Sequence, residues 1–292
     1  MELSKFGKTG LMLHPLGLGG AEIGYARVSQ QDVNKLIGDA LDNGCNVIDT
    51  AAAYAESEER IGRAITGRRD SVHLFTKVGP EWSSAGMRKD IERSLKRLRT
   101  DHVDLLQIWS APLELLARGE IIETMESFKR EGLTRFIGYS GDSHAARYAV
   151  ETDRFDALQT SISIADQEAI DFTLPQCHKL EMGVIAKRPL ANVAWLGGKA
   201  DYFPGYESEY RRRLKELDYL FLRSGGEEAI STALKFTLSL SGVHTAIVGT
   251  RTPGRWQENA LILESGLLKE YELEAIRERW SHVANPGWVG QR

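Results

Sequence analysis

Short apolar runs rich in β-branched residues alternate along this chain with longer segments whose apolar positions recur every three or four residues. The runs predict strands over 14–18, 46–49, 73–77, 103–108, 136–140, 157–160, 184–187 and 245–248. Between them the helical period predicts helices over 29–43, 86–98, 114–131, 145–152, 167–180 and 227–240. Ile91, Leu95 and Leu98 form the stripe of a helix that lies on a sheet. Asn43-Gly44, Glu131-Gly132 and Ser241-Gly242 read as helix ends, where glycine accepts the left-handed turn that closes the last carbonyls. Strand–helix alternation makes neighbouring strands parallel, and eight of them close a barrel. An open doubly wound sheet is the alternative that periodicity leaves standing. Residues 1–292 therefore read as one domain, a single (β/α)8 TIM barrel with an N-terminal β-hairpin. The hairpin turns at Lys8-Thr9-Gly10 and is placed to plug the barrel floor. Beyond Leu190, some thirty residues without strand character contain Gly197-Gly198, Pro204 and several aromatics. A loop of that length in a compact domain is usually functional.

Composition narrows the class. A chain of 292 residues buries enough surface to hold a core without disulfides or metal. It has only two cysteines, Cys45 and Cys177, no CxxC, and no metal spacing among its histidines, so a reducing compartment and no metal site are expected. The net charge of -4 gives no basic face for nucleic acid. Arg211-Arg212-Arg213, flanked by Glu209 and Glu216, reads as a solvated helix surface. Residues Met1 to Gly10 lack the apolar core of a signal peptide, and no run approaches the ~20 apolar residues of a membrane span. A cytoplasmic protein is the expectation, and oligomeric state is not legible.

In a barrel of this kind the chemistry sits at the C-terminal strand ends, which selects Asp49, Lys77, Trp109, Ser140, Gln159, Lys187 and Gly249-Thr250. Asp49 and Lys77 end neighbouring strands, so they can pair, and Tyr54 follows Asp49 by five residues. A lysine beside a phenol favours the phenolate, which makes such a tyrosine a general acid for a carbonyl or a base for an alcohol. On spacing alone, a structural ion pair and a surface tyrosine remain the alternative. Tyr25, Trp82, Trp109 and Trp195 fall on loops at the same end and suit an aromatic or sugar substrate, or simple packing. His144 stands near the strand end at Ser140 and reads either as a structural histidine or as a cofactor contact.

Several segments in order carry a family resemblance. They are Lys8-Thr9-Gly10-Leu11, Leu16-Gly17-Leu18-Gly19, Asn46-Val47-Ile48-Asp49-Thr50-Ala51 with Tyr54, and Glu58-Glu59-Arg60-Ile61-Gly62. Leu74-Phe75-Thr76-Lys77, Ser94-Leu95-Lys96-Arg97-Leu98, Asp101 and Val103-Asp104-Leu105 continue the series. Together they resemble the aldo-keto reductases, especially bacterial members, over nearly the whole chain. The resemblance implies a barrel that binds NADP(H) without a Rossmann fold. Gly17-Leu18-Gly19-Gly20 is then a turn after a strand, with no third glycine for a dinucleotide fingerprint.

It also implies site residues. Tyr54 would be the proton donor, tuned by Lys77 and Asp49, and Trp109 stands where the family carries its catalytic histidine. Indole offers one N–H donor and exchanges no proton, so Trp109 either orients the carbonyl or only shapes the wall. Ser140 and Gln159 match residues that hold the nicotinamide carboxamide, while Gly141 replaces the usual asparagine and Asp142 is a candidate substitute acceptor. Thr250, Arg251 and Arg255 fall in the segment that grips the 2′-phosphate, and Glu258 and Asn259 match the adenine contacts. Lys187 occupies a position where an aromatic often stacks under the nicotinamide; it or Arg188 is a candidate for a cofactor phosphate or an anionic substrate group. The short tail from Asn285 to Arg292 leaves specificity to the strand–helix loops. The expected activity is NADPH-dependent reduction of an aldehyde or ketone. Oxidation of a sugar or secondary alcohol, and a cofactor-sensing role like that of potassium-channel β-subunits, are the alternatives.

Overall fold

Eight parallel strands close into a barrel in the computed structural model, which describes residues 2–197 and 207–291. A hairpin of β1 (Ser4–Lys5) and β2 (Met12–Leu13) precedes it, paired antiparallel and joined by a turn of 3-10 helix at Gly7–Thr9. The barrel strands are β3 (Leu16–Gly19), β4 (Val47–Asp49), β5 (His73–Val78) and β6 (Val103–Trp109). They continue as β7 (Thr134–Ser140), β8 (Ala157–Ser161), β9 (Gly183–Lys187) and β10 (Thr245–Gly249), and β10 closes on β3. The first starts two residues later than the pattern predicts, after Pro15, which has no N–H to donate.

Period-two alternation sorts each strand's side chains between two cores. Ile48, Leu74, Leu106, Leu158 and Val184 face outward into the layer shared with the helices. Val47, Phe75, Leu105, Ala157, Ile185 and Ile247 face inward, where Phe6, Leu11 and Leu13 of the hairpin segment close the floor beneath them. Phe6 stacks on Phe75 with centroids 5.9 Å apart. One pleat higher, the same inward rows carry Asp49, Lys77, Gln107 and Gln159 in place of aliphatics, all buried. The interior is therefore apolar at the floor and polar toward the mouth.

The helices follow local chemistry. Ser29 and Ser83 accept hydrogen bonds from the backbone N–H groups of Asp32 and Gly86 and cap Gln30–Asp42 and Ser84–Leu98. Two segments expected as single helices are broken. Gly119, with φ +84°, separates Leu113–Arg118 from Glu120–Arg130. Thr173 separates Glu168–Phe172 from Leu174–Lys179, where Pro175 occupies a first-turn position that needs no N–H. The region beyond Leu190 holds a kinked 3-10 segment, Ala191–Leu196, and a helix, Ser208–Leu217. Gly198 and Pro204 lie outside the described residues. That helix also corrects the reading of the arginine run. Arg212 is exposed and paired with Glu209 and Glu216, but Arg213 is fully buried. Among the described residues, no helix is long and apolar enough to cross a membrane.

Candidate active site

Asp49 ends β4 and Lys77 stands one residue before the end of β5, so adjacent parallel strands bring the two side chains together at the barrel mouth. Lys77 Nζ lies 2.5 Å from Asp49 Oδ2 and also donates to the Thr50 carbonyl at 2.8 Å. The pair is 2 % and 4 % exposed, and an ion pair this dry needs such extra hydrogen bonds to offset lost hydration. Tyr54 follows on a tight turn held by the bonds Tyr54 N to Ala51 O and Ser57 N to Tyr54 O. Lys77 Nζ sits 5.3 Å from the centre of its ring. Its hydroxyl has no hydrogen-bond partner among the described residues.

Aromatic side chains wall this phenol. Trp109 meets Tyr54 edge to face at 6.2 Å, and Tyr25 lies 6.4 Å away on the other side. Trp82 donates its indole N–H to the Trp109 carbonyl at 3.3 Å, so three of the expected pocket residues gather around one point. Tyr25 spends its own hydroxyl on the Ala53 carbonyl, and burial with the neighbouring Tyr54 raises it above the ordinary phenol value. Of the two phenols, Tyr54 is the one whose hydroxyl has no partner among the described residues. Trp195 lies half-buried on the 3-10 segment, apart from these contacts.

A chain of carboxamides joins this corner to the far wall. Ser140 Oγ donates to Gln159 Oε1 at 2.8 Å, and Gln159 Nε2 donates to Asp49 Oδ1 at 3.0 Å. Gln107, not singled out in the sequence, donates to the same Oδ1 at 3.1 Å. Its inward alternation with Leu105 and Trp109 is the signal that could have found it. Gly141 is explained by packing, since a Cβ there would lie 2.6 Å from the Tyr139 ring. Asp142, the candidate substitute for the missing asparagine, already has partners in this structure. Its Oδ1 accepts from Thr160 Oγ1 and the Ser161 N–H, and its Oδ2 pairs with Lys187 at 2.7 Å.

The charged residues at the ends of β8 and β9 meet the C-terminal tail. Arg188 donates to Ser161 Oγ at 2.7 Å and to the Gln291 carbonyl. The Gly290 N–H donates to Glu168, Arg213 to the Val289 carbonyl, and Tyr210 to Asp166. Trp288 packs against Trp280 and under Arg212 and Arg213. Burial opposes the Asp142 carboxylate, but Lys187 and Arg188 outweigh it and hold it below the usual range. Burial brings Lys187 down to about 8 against the pull of Asp142. Burial, then the charge of Asp142, pushes Asp166 up to about 7 against Arg213. His144 stacks edge-on against Phe172, as a structural histidine does.

The remaining candidates gather beyond β10. Thr250 accepts from the Thr252 N–H, Arg255 pairs with Glu258 at 2.8 Å, and Asn259 is buried on the helix Arg255–Glu264. A cleft of about 630 Å³ lined by Tyr25, Arg27, Arg251 and Pro253 links this segment to the aromatic corner. Across the mouth, Ala191, Asn192 and Val193 all hold φ near +50°, a conformation costly for a β-branched residue and common where a ligand is clamped. Asn192 Nδ2 and Trp195 Nε1 are buried there without partners among the described residues.

Residues 15–281 match the Aldo/keto reductase family. The chain is 28% identical to the aldo-keto reductase YhdN of Bacillus subtilis, covering 87% of this chain and 86% of that one. It is 27% identical to L-galactose dehydrogenase of Arabidopsis thaliana over 100% and 99% of the two chains. The structure of an aldo-keto reductase from Klebsiella pneumoniae in complex with NADPH superposes with a TM-score of 0.74 at 26% identity, over 98% of this chain and 96% of that one. The chain belongs to the aldo/keto reductase family and is an NAD(P)H-dependent oxidoreductase.

Proposed function

We propose that this protein uses NADPH to reduce an aldehyde or ketone to an alcohol, with Tyr54 as the proton donor. The observation that carries the reading is the buried Asp49–Lys77 pair set against a tyrosine whose hydroxyl has no partner among the described residues. The residues present fit a dinucleotide phosphate. Arg251 and Arg255 stand beyond β10, and the N–H donors of Asn192 and Trp195, without partners among the described residues, suit an anionic acceptor. Ser140 and Gln159 would hold the carboxamide, and Thr250, Glu258 and Asn259 the adenosine end. Lys187 and Arg188 reach a cofactor phosphate only by releasing Asp142 and the tail.

The bound cofactor supplies the hydride. Tyr54 gives its proton to the carbonyl oxygen, and the Lys77 ammonium stabilises the negative charge left on the phenol. Asp49 fixes that ammonium in place. Trp109 offers one indole N–H toward the carbonyl where a histidine would otherwise stand. It exchanges no proton, and the loss of such a group commonly slows turnover ~10²-fold. Tyr25, Trp82 and Trp109 form the walls for an aromatic or sugar substrate. Oxidation of a sugar or secondary alcohol by the same phenol is the second reading, supported by the end-to-end similarity to L-galactose dehydrogenase.

The test is loss of NADPH absorbance with a panel of aromatic and sugar aldehydes. Turnover is expected in the wild type and nearly abolished in Tyr54→Phe, with NADPH binding retained. Equal rates in the two proteins would sink the role of Tyr54. Tight NADPH binding without turnover would move the weight to alcohol oxidation or to cofactor sensing.

A further inference from the structure

Asp49 is held on both oxygens. Lys77 takes Oδ2, while Gln107 and Gln159 both donate to Oδ1 from different strands. The two glutamines are not equivalent. Gln159 is engaged at both ends, since its Oε1 accepts from Ser140. Gln107 is fully buried, and its Oε1 has no partner among the described residues. A methionine would fill this volume without burying an unpaired acceptor, so the amide is explained by the N–H it gives to Asp49. A glutamate would place a second carboxylate against the first. Room for the glutamine comes from Gly138, where a Cβ would lie 3.3 Å from Gln107 Cγ and 3.0 Å from the Ala157 carbonyl.

We propose that Gln107 is a positioning residue of the reductase site, holding Asp49 Oδ1 when Gln159 and Ser140 turn to the cofactor carboxamide. The inference rests on the reading of Ser140 and Gln159 as cofactor contacts. In that state Gln107 is the donor left on Oδ1. Without it the carboxylate charge falls on Lys77 alone, the ammonium is more fully neutralised, and less positive field remains at Tyr54. The phenol then becomes a poorer acid while substrate and cofactor contacts stay in place.

The experiment compares wild type with Gln107→Met, which keeps the shape and removes the donor, and Gln107→Glu, which replaces the donor with an acceptor. Steady-state reduction is measured across pH, NADPH affinity by fluorescence titration, and folding by thermal midpoint. Gln107→Met is expected to lower kcat about tenfold, with KM and NADPH affinity within about twofold of wild type. The alkaline limb of the kcat profile, where Tyr54 loses its proton, moves to higher pH. Gln107→Glu moves both quantities further in the same direction. A purely structural role would lower stability and rate without moving that limb. Folded Gln107→Met with wild-type kcat and an unmoved limb overturns the proposal, as does failure of both variants to fold. Wild-type protein that turns over no carbonyl would instead overturn the reductase reading, a result no Gln107 variant can produce.

Discussion

At the scale of single residues, the site divides into a part written locally and a part assembled across the barrel. Asp49, Tyr54 and Lys77 were legible because each stands at a strand end or one turn beyond it, and neighbouring parallel strands leave one way to bring them together. Gln107 and the Asp142, Lys187, Arg188, Asp166 and Arg213 cluster were not. Their partners are set by barrel closure and by a tail far away in sequence, as in the bond from Arg188 to the Gln291 carbonyl. This cluster carries a pH prediction. Asp166 holds its proton to about 7 when folded, against ~3.9 when unfolded, so its contribution is fully present below pH ~4. It is lost as pH rises to about 7, by an amount on the order of a few kcal/mol. Thermal midpoints of wild type and Asp166→Asn, taken from pH 4 to 8, should therefore diverge as the wild type falls. Parallel curves would show that Asp166 is ionised in the folded protein across that range.

At the scale of elements, period and end signals located all eight barrel strands and the six helical segments up to residue 240, but not the helix Glu270–Val283, and interruptions decided by a single residue were less visible. Gly119 looked compatible with one long helix, because glycine costs only ~1 kcal/mol within one, and its left-handed φ is a tertiary choice. Gly62 shows the opposite case, a glycine inside a helix that contact requires. A Cβ there would lie 2.3 Å from the Arg97 carbonyl on the neighbouring helix. Gly62→Ala gains up to ~1 kcal/mol of helix propensity but drives that Cβ into backbone, which cannot rotate away and costs ~1–3 kcal/mol. The contact should win, and the variant should unfold at lower urea than wild type. A midpoint equal to or above wild type would show that the two helices separate at little cost.

At the scale of the whole molecule, the barrel brings the β3 and β10 loops beside the β4 loop, so the cleft containing Arg251 opens toward the tyrosine corner. A cofactor bound across this span stabilises the entire fold by mass action, about 2.7 kcal/mol at a hundredfold excess over Kd. The same concentration of NADH lacks the 2′-phosphate for Arg251 and Arg255, so NADPH should raise the unfolding midpoint by several degrees more. Equal shifts would remove these arginines from the phosphate site. The amino-acid sequence by itself determined the strands, most of the helices, the strand–helix alternation that a closed barrel satisfies, and the placing of Asp49, Tyr54 and Lys77 at one end of it. Each of these follows from patterns a few residues long, or from the rule that parallel neighbours align their strand ends. Only the tertiary structure decided which polar groups share a charge: that Gln159, 110 residues from Asp49, bonds its carboxylate, that Lys187 pairs with Asp142, and that Arg213 is buried beneath the tail. Such pairings exist because closure removes water from side chains that no local period relates, and each buried charge must then find whatever partner the fold has placed within reach.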